Sequence, residues 1–369
     1  MINNKTIAVV VSCYNEETQI LRVLQTMPDF VDRIVVVNDC STDTTKAVVC
    51  DFIAKDKVNN QGVTITRPPI PQYFDDRYRQ ADQILDQMYA CESKRLVAFE
   101  IVNAFPERER IILINNLKNG GKGMSVAVGY SWCREYAIDC IATMDGDGQM
   151  DPTELYAICS PIVSGEVDFV KGNRLMHKSA RYIIPTIRFI GNNILTILTK
   201  IASGYWRVSD TQTGYTAISL AALYQLALDK IYPRYGIHND ILIKLNVANC
   251  SIREFPIRPI YRIGERSKMK IPKVIPLISW LLVKSFFSRL WIKYFLRNFH
   301  PLFLFYNLSF LLLLIIIPLA ISILMDVFIY NLHIQTGTYI SFIILSLASF
   351  QSLFFAMWMD IQDNERLYK

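Results

Sequence analysis

The stretch "MDGDGQMDP" places Asp145, Asp147 and Gln149 at alternate positions directly after an apolar run that ends at Met144. Two carboxylates one residue apart repel each other unless a positive charge lies between them. All three side chains offer hard oxygen atoms, which suit Mg²⁺ or Mn²⁺ and not zinc. A site with so few carboxylates completes its shell with water and ligand phosphates. Taken alone, a D-x-D pair is a weak signal, and Asp151 before Pro152 also reads as a helix N-cap. Its place at the end of a buried strand strengthens the metal reading.

Other clusters add to it. "NGGKG" (119–123) supplies backbone N–H groups and Lys122 near a helix start, which makes either an anion site or a plain turn. It lacks the G-x-x-x-x-G-K-[ST] spacing of a P-loop. "NDCSTD" offers Asp39 to hydrogen-bond a base or ribose, while Ser41 or Asp43 suits a helix cap. Asp210, in "SDTQTGY", reads as a site residue or a turn cap. Asp240, in "YGIHND", either acts as a general base or opens a helix. The eight cysteines and four histidines are scattered without a metal-site spacing. The cysteines read as reduced, buried residues of a cytoplasmic chain.

These residues need a scaffold. "TIAVVVS", "RIVVVND", "RIILINN" and "CIATM" are β-branched runs of strand length, with helical stretches predicted at Glu17–Met27, Asp43–Asp56, Gly123–Glu135 and Pro152–Ser164. Alternating strands and helices imply an α/β fold with a mainly parallel sheet. Ligands of such sheets bind at the carboxyl ends of the strands, and the polar motifs sit at four such ends. Residues 60–109 interrupt the alternation and read as an inserted helical subdomain or lid, with helical periodicity from Asp75 to Cys91.

Hydrophobic residues make up 51% of the 369, and they are unevenly placed. Pro301 to Met325 and Thr338 to Met359 contain no Lys, Arg, Asp or Glu. Each is long enough for a transmembrane helix, which needs about 20 residues, and the alternative is a pair of buried core helices. The loop "DVFIYNLHIQTG" has no Lys or Arg, so the positive-inside rule puts residues 1–270 and the tail 361–369 in the cytoplasm, with two spans in 301–360. The start "MINNKTIAVVVSCYNEE" suits a buried strand better than a signal peptide. Arg188, Asn192, Asn193 and Lys200 make "YIIPTIRFIGNNILTILTKIASGYW" an amphipathic surface helix or one lining the active site. Residues 271–300 read as an amphipathic juxtamembrane helix, with a helix docked on the soluble domain as the alternative. Phe287, Leu290, Trp291, Tyr294 and Phe295 share a face there, and Arg289, Lys293 and Arg297 form a stripe toward the headgroups. The net charge of +6 fits a membrane surface, and no nucleic acid is expected as a partner. Paired short anchors would permit a homo-oligomer.

"SCYNEE", "VNDCSTD", "NGGKG", "DGDGQMDP", "GNR", "DTQTGY" and "GERSKMK" occur in the order seen in family 2 glycosyltransferases. The chain resembles that family's polyprenyl-phosphate branch, which includes dolichol-phosphate mannose synthase, from about Thr6 to Lys273 apart from the insertion. The resemblance implies a GT-A fold, a Rossmann-like nucleotide-sugar-binding domain. It implies that Asp145, Asp147 and Gln149 hold Mg²⁺ or Mn²⁺ on the diphosphate of a UDP- or GDP-linked sugar. Tyr14, Glu16 and Asp39 would contact the nucleoside with Lys122 nearby, and Arg174 and Arg188 match positions facing the acceptor phosphate. Arg266 and Lys268 belong to the basic loop. Ser12 stands where the family usually has proline, Asn38 replaces an aspartate, and the basic loop carries an extra arginine.

The expected reaction is metal-dependent, inverting transfer of one sugar to a dolichyl or undecaprenyl phosphate at the cytoplasmic face of a cell or ER-type membrane. A lipid phosphate is largely ionised near neutral pH and needs no strong base; arginines position it instead. The alternatives are a transferase acting on a sugar hydroxyl of a lipid-linked glycan, and a catalytically silent nucleotide-sugar-binding membrane protein.

Overall fold

The computed structural model describes residues 1–55, 63–68, 76–261, 271–330 and 335–369, without the side chains of 76–79, 187–188 and 271–273. Its strands are β1 (Ile7–Cys13), β2 (Arg33–Asn38), β3 (Phe99–Ile101), β4 (Ile111–Asn116), β5 (Cys140–Asp145), β6 (Phe169–Asn173), β7 (Thr216–Ser219) and β8 (Ile252–Pro256). They form one sheet in the order β3-β4-β2-β1-β5-β7-β6-β8. β1, β2, β4 and β5 run parallel, whereas β3 and β7 pair antiparallel with their neighbours.

β1 explains why these segments are strands. All seven of its side chains are buried, as expected of a central parallel strand covered on both faces. Ala8 and Val10 enter one core with Tyr130, Trp132 and Ile141, while Ile7, Val9 and Val11 enter the opposite core with Met144 and Leu155. That alternation is the period of two of a pleated strand.

The helices of the globular part are α1 (Ile20–Gln25), α2 (Thr45–Lys55), α3 (Asp76–Arg95), α4 (Lys122–Glu135), α5 (Leu155–Val163), α6 (Ala180–Ile183), α7 (Thr186–Ser203), α8 (Leu220–Tyr224) and α9 (Ile237–Val247). Asp151 does cap the turn before α5: its Oδ1 accepts from Thr153 N at 3.0 Å, with Pro152 next. Within the 60–109 segment, α3 supplies the helix, held by Arg134–Glu92 at 2.8 Å and Arg95–Asp229 at 3.1 Å. Residues 99–101 join the sheet as edge strand β3.

Then come α10 (Ile271–Trp291, continued by a π-helical turn to Arg297), α11 (Pro301–Phe328) and α12 (Thr336–Glu365). α11 and α12 form a hairpin in which Ser309 Oγ donates to Ser349 O and Ser349 Oγ donates to Ser309 O, at 3.0 and 3.1 Å. Among the described residues three helices are long and apolar enough to cross a membrane: Val274–Arg297, Pro301–Phe328 and Thr336–Glu365. The sequence singled out only the last two, because Arg289, Lys293 and Arg297 made the first look like a surface helix. The expected basic stripe needs correction. Arg289 and Lys293 do not point to headgroups; both are buried, the first ion-paired to Asp360 at 2.7 Å and the second donating to Asn364 Oδ1 at 2.6 Å. Polar groups supplied by the end of α12 draw the stripe inward.

Candidate active site

Parallel pairing brings the carboxyl ends of β1, β2, β4 and β5 to one edge of the sheet. Two loops are stitched together there. Asn15 N donates to Ser41 Oγ and Thr42 N donates to Asn15 Oδ1, at 2.9 and 2.8 Å. Glu16 N donates to Thr45 Oγ1 at 2.9 Å. This sets Tyr14 and Glu16 beside the "NDCSTD" loop.

Asp39 has a task the sequence did not predict. Its Oδ1 accepts from Asn116 Nδ2 and Gly120 N, both at 2.9 Å, and its Oδ2 accepts from Gly121 N at 2.8 Å. The glycine amides proposed for an external anion therefore close on the chain's own carboxylate. The turn is thereby fixed, and it delivers Lys122 at the first position of α4.

Lys122 Nζ lies 2.7 Å from Asp145 Oδ2, and Ser12 Oγ lies 3.3 Å from Asp145 Oδ1. Gly148, at φ 74°, turns the chain so that Gln149 N donates to Asp147 Oδ1 at 3.0 Å. Burial, and then the neighbouring Asp145 carboxylate, push Asp147 up to about 7. Among the described residues no three His, Cys, Asp or Glu side chains cluster as a metal cage. The donors are two carboxylates and the Gln149 amide, whose buried Nε2 has no hydrogen-bond partner among the described residues. Two mutually repelling carboxylates and an amide oxygen suit a hard cation that keeps water and phosphate ligands, and the unmatched amide nitrogen is a donor suited to a phosphate oxygen. The donor set fits Mg²⁺ or Mn²⁺.

Across the cleft, Arg174 grips Asp210 with Nε to Oδ2 at 2.8 Å and Nη2 to Oδ1 at 3.0 Å. Asp210 is wholly buried. Burial opposes its charge, but Arg174 and Lys171 hold the carboxyl below its usual range. Glu254 braces the same loop, accepting from Ser209 N and Asp210 N at 2.9 and 3.0 Å. A cavity of about 520 Å³ opens beside it, lined by His177, Lys178, Arg181 and Lys200 together with Phe189 and Ile197. Arg188 lies on α7, with its side chain outside the described residues. Arg266 and Lys268 also fall outside them. Asp240 accepts from Tyr232 N at 2.8 Å and from Lys244 Nζ, which matches its reading as a helix-opening aspartate.

Sequence reasoning missed Lys171, Glu254 and His238. Their only signal was charge or an imidazole inside otherwise apolar runs, which does not separate a site residue from a satisfied core residue.

A family profile described as glycosyl transferase family 2 matches residues 8–72 and 97–227, and the chain belongs to that family. The unmatched gap coincides largely with α3. Two relatives are a UDP-N-acetylglucosamine–dolichyl-phosphate N-acetylglucosaminyltransferase from Methanococcus voltae and a dolichyl-phosphate beta-glucosyltransferase from Trichomonas vaginalis. The first is 30% identical over 41% of this chain and 60% of its own length. The second is 24% identical over 51% of this chain and 57% of its own length. The chain thus spans under two thirds of these relatives. The crystal structure of a glucosyl-3-phosphoglycerate synthase from Mycobacterium tuberculosis covers 78% of each chain at 16% identity and a TM-score of 0.46. That likeness is too distant to bear on ligands.

Proposed function

We propose that the chain moves a single sugar, with inversion, from a UDP- or GDP-linked donor to a polyprenyl phosphate at the cytoplasmic face of a membrane. The observation that carries this is the position of Arg174. One edge of its guanidinium is fixed on buried Asp210 and its Nη1 donates to Tyr261 Oη at 3.2 Å, within electrostatic reach of Asp145, while Leu175 and Ser209 beside the pair line a cavity that is basic and apolar at once. Basic groups suit a phosphate, and Phe189 and Ile197 suit the first isoprene units.

A bound Mg²⁺ or Mn²⁺ would offset charge developing on the departing diphosphate. Asp145, Asp147 and Gln149 would hold it. Tyr14 and Glu16 would meet the nucleoside. On the acceptor side, an ionised phosphate oxygen attacks the anomeric carbon as the bond to the diphosphate breaks, and no proton has to be removed. Engagement of Asp240 with Tyr232 and Lys244 favours this over a hydroxyl acceptor, which would need a free carboxylate base. Both relatives named above carry dolichyl phosphate in their names, which supports the same acceptor class.

Purified protein in nanodiscs, given UDP- and GDP-sugars and a short polyprenyl phosphate, should form a sugar-phosphate-lipid of inverted anomeric configuration. Chelation should stop turnover and Mn²⁺ or Mg²⁺ restore it, and Asp147→Asn should lower it at least about a hundredfold. Product on a sugar hydroxyl alone overturns the proposal.

A further inference from the structure

His238 sits on the buried face of α9, 8% exposed, and its Nε2 has no hydrogen-bond partner among the described residues. A buried acceptor left unmatched is costly, so one that persists points to a partner that arrives. The neighbourhood names that partner. A side chain at Gly214 would meet Lys122 Nζ at 3.0 Å and His238 Nε2 at 3.1 Å. The ammonium and the imidazole therefore both pack against Gly214, and the absence of a side chain there is what lets them come close to each other.

Lys122 donates to Asp145 Oδ2 at 2.7 Å. The same carboxylate is the one a divalent cation would take, and an ammonium and a dication cannot share it without strong repulsion. We propose that His238 is a positioning residue that receives the Lys122 ammonium when a divalent cation claims Asp145, with Gly214 leaving the space for the exchange. The inference rests on the metal reading of Asp145 and Asp147. Burial, then Lys122, Lys171 and Arg174, keep His238 well below its usual pKa, so the imidazole is neutral and retains an acceptor lone pair.

Calorimetric titration of MnCl₂ into the full chain in nanodiscs, with no nucleotide present, tests the exchange without relying on turnover. His238→Phe should weaken Mn²⁺ binding about tenfold, the scale of one lost charge-assisted hydrogen bond. His238→Gln, which restores an acceptor, should recover most of that loss. Gly214→Ala leaves both partners chemically intact but pushes them apart and should reproduce the loss, which keeps the test decisive if the phenylalanine variant does not fold. In a Lys122→Met background both changes should fall silent. Unchanged Mn²⁺ affinity in His238→Phe and Gly214→Ala, or equal losses with and without Lys122, overturns the exchange. Wild-type protein that takes up no Mn²⁺ overturns the metal reading itself and this inference with it.

Discussion

Ile252 in β8 donates its amide to Leu367 O at 2.7 Å, and Lys369 N donates back to Ile252 O at 3.0 Å. Leu367 is buried in the same core as Trp132 and Ile141. The segment beyond α12 is thus an added piece of the catalytic sheet's edge. A chain that leaves one side of a membrane and returns to it crosses an even number of times. With three apolar helices available, this favours α11 and α12 as the crossings and α10 as a helix lying against α7 and α9.

The corresponding prediction concerns sidedness. Single reporter cysteines at Tyr330 and Tyr368, in a chain whose native cysteines are replaced, should react with an impermeant maleimide from opposite faces of sealed vesicles. Labelling of both from one face would remove the two-span arrangement.

Arg174 and Asp210 should fail together. Removing one member of a buried ion pair costs about 3–5 kcal/mol, because the other is left without its counter-charge. Asp210→Asn should therefore lower the melting temperature clearly and raise KM for the lipid phosphate. The sign with pH follows from the depressed folded pKa. The contribution is complete above about pH 4, the usual aspartate value, and disappears as pH falls through the lower folded value. A wild-type minus Asp210→Asn melting profile should show that acid limb. A flat difference would mean the carboxylate adds nothing.

Much of this was legible in sequence. β1, β2, β4 and β5 lie within a residue or so of their predicted runs, because strands buried on both faces are continuously apolar. The polar residues at their ends followed from chain direction alone. β3 and β7 were not legible: three or four residues are too short for any period to show, and their placement depends on pairing partners distant in sequence. The inward turn of Arg289 and Lys293 was equally hidden, since its cause is Asp360 and Asn364, about seventy residues away along the chain. The same holds for Asp39, whose partners are the amides of Gly120 and Gly121 on a separate loop.

Lys171 carries a second pH signature. It is wholly buried with Nζ 2.7 Å from Thr213 O, and it faces Asp210, Glu254, Arg174, Lys122 and the imidazole of His238. Burial pulls it down to about 8 despite the two carboxylates. As pH rises from about 8 to about 10, the folded form loses this proton before the unfolded one does. The unfolded state then binds more protons, so stability rises across that window, by up to about 3 kcal/mol. Melting curves of the wild type and Lys171→Met should diverge there, with the rise confined to the wild type. Parallel curves would place the lysine's proton elsewhere.

Arg289 joins three helices through one guanidinium. Its Nη1 and Nη2 reach the two oxygens of Asp360 on α12 at 2.7 and 2.8 Å, while Nε and Nη2 donate to Ala202 O and Ile201 O in the last turn of α7, at 3.0 and 3.1 Å. Both side chains are fully buried. Because α7 also lines the basic cavity, the pair links the α11–α12 hairpin to the acceptor side proposed above. Arg289→Ala or Asp360→Ala should each cost about 3–5 kcal/mol, and an Arg289→Met/Asp360→Leu double variant markedly less than their sum. At a temperature where each protein stays folded, KM for the lipid phosphate should rise while KM for the nucleotide sugar holds. If both constants rose together, the damage would be general unfolding, and α7 would owe its position to its other contacts with α9 and α10 instead.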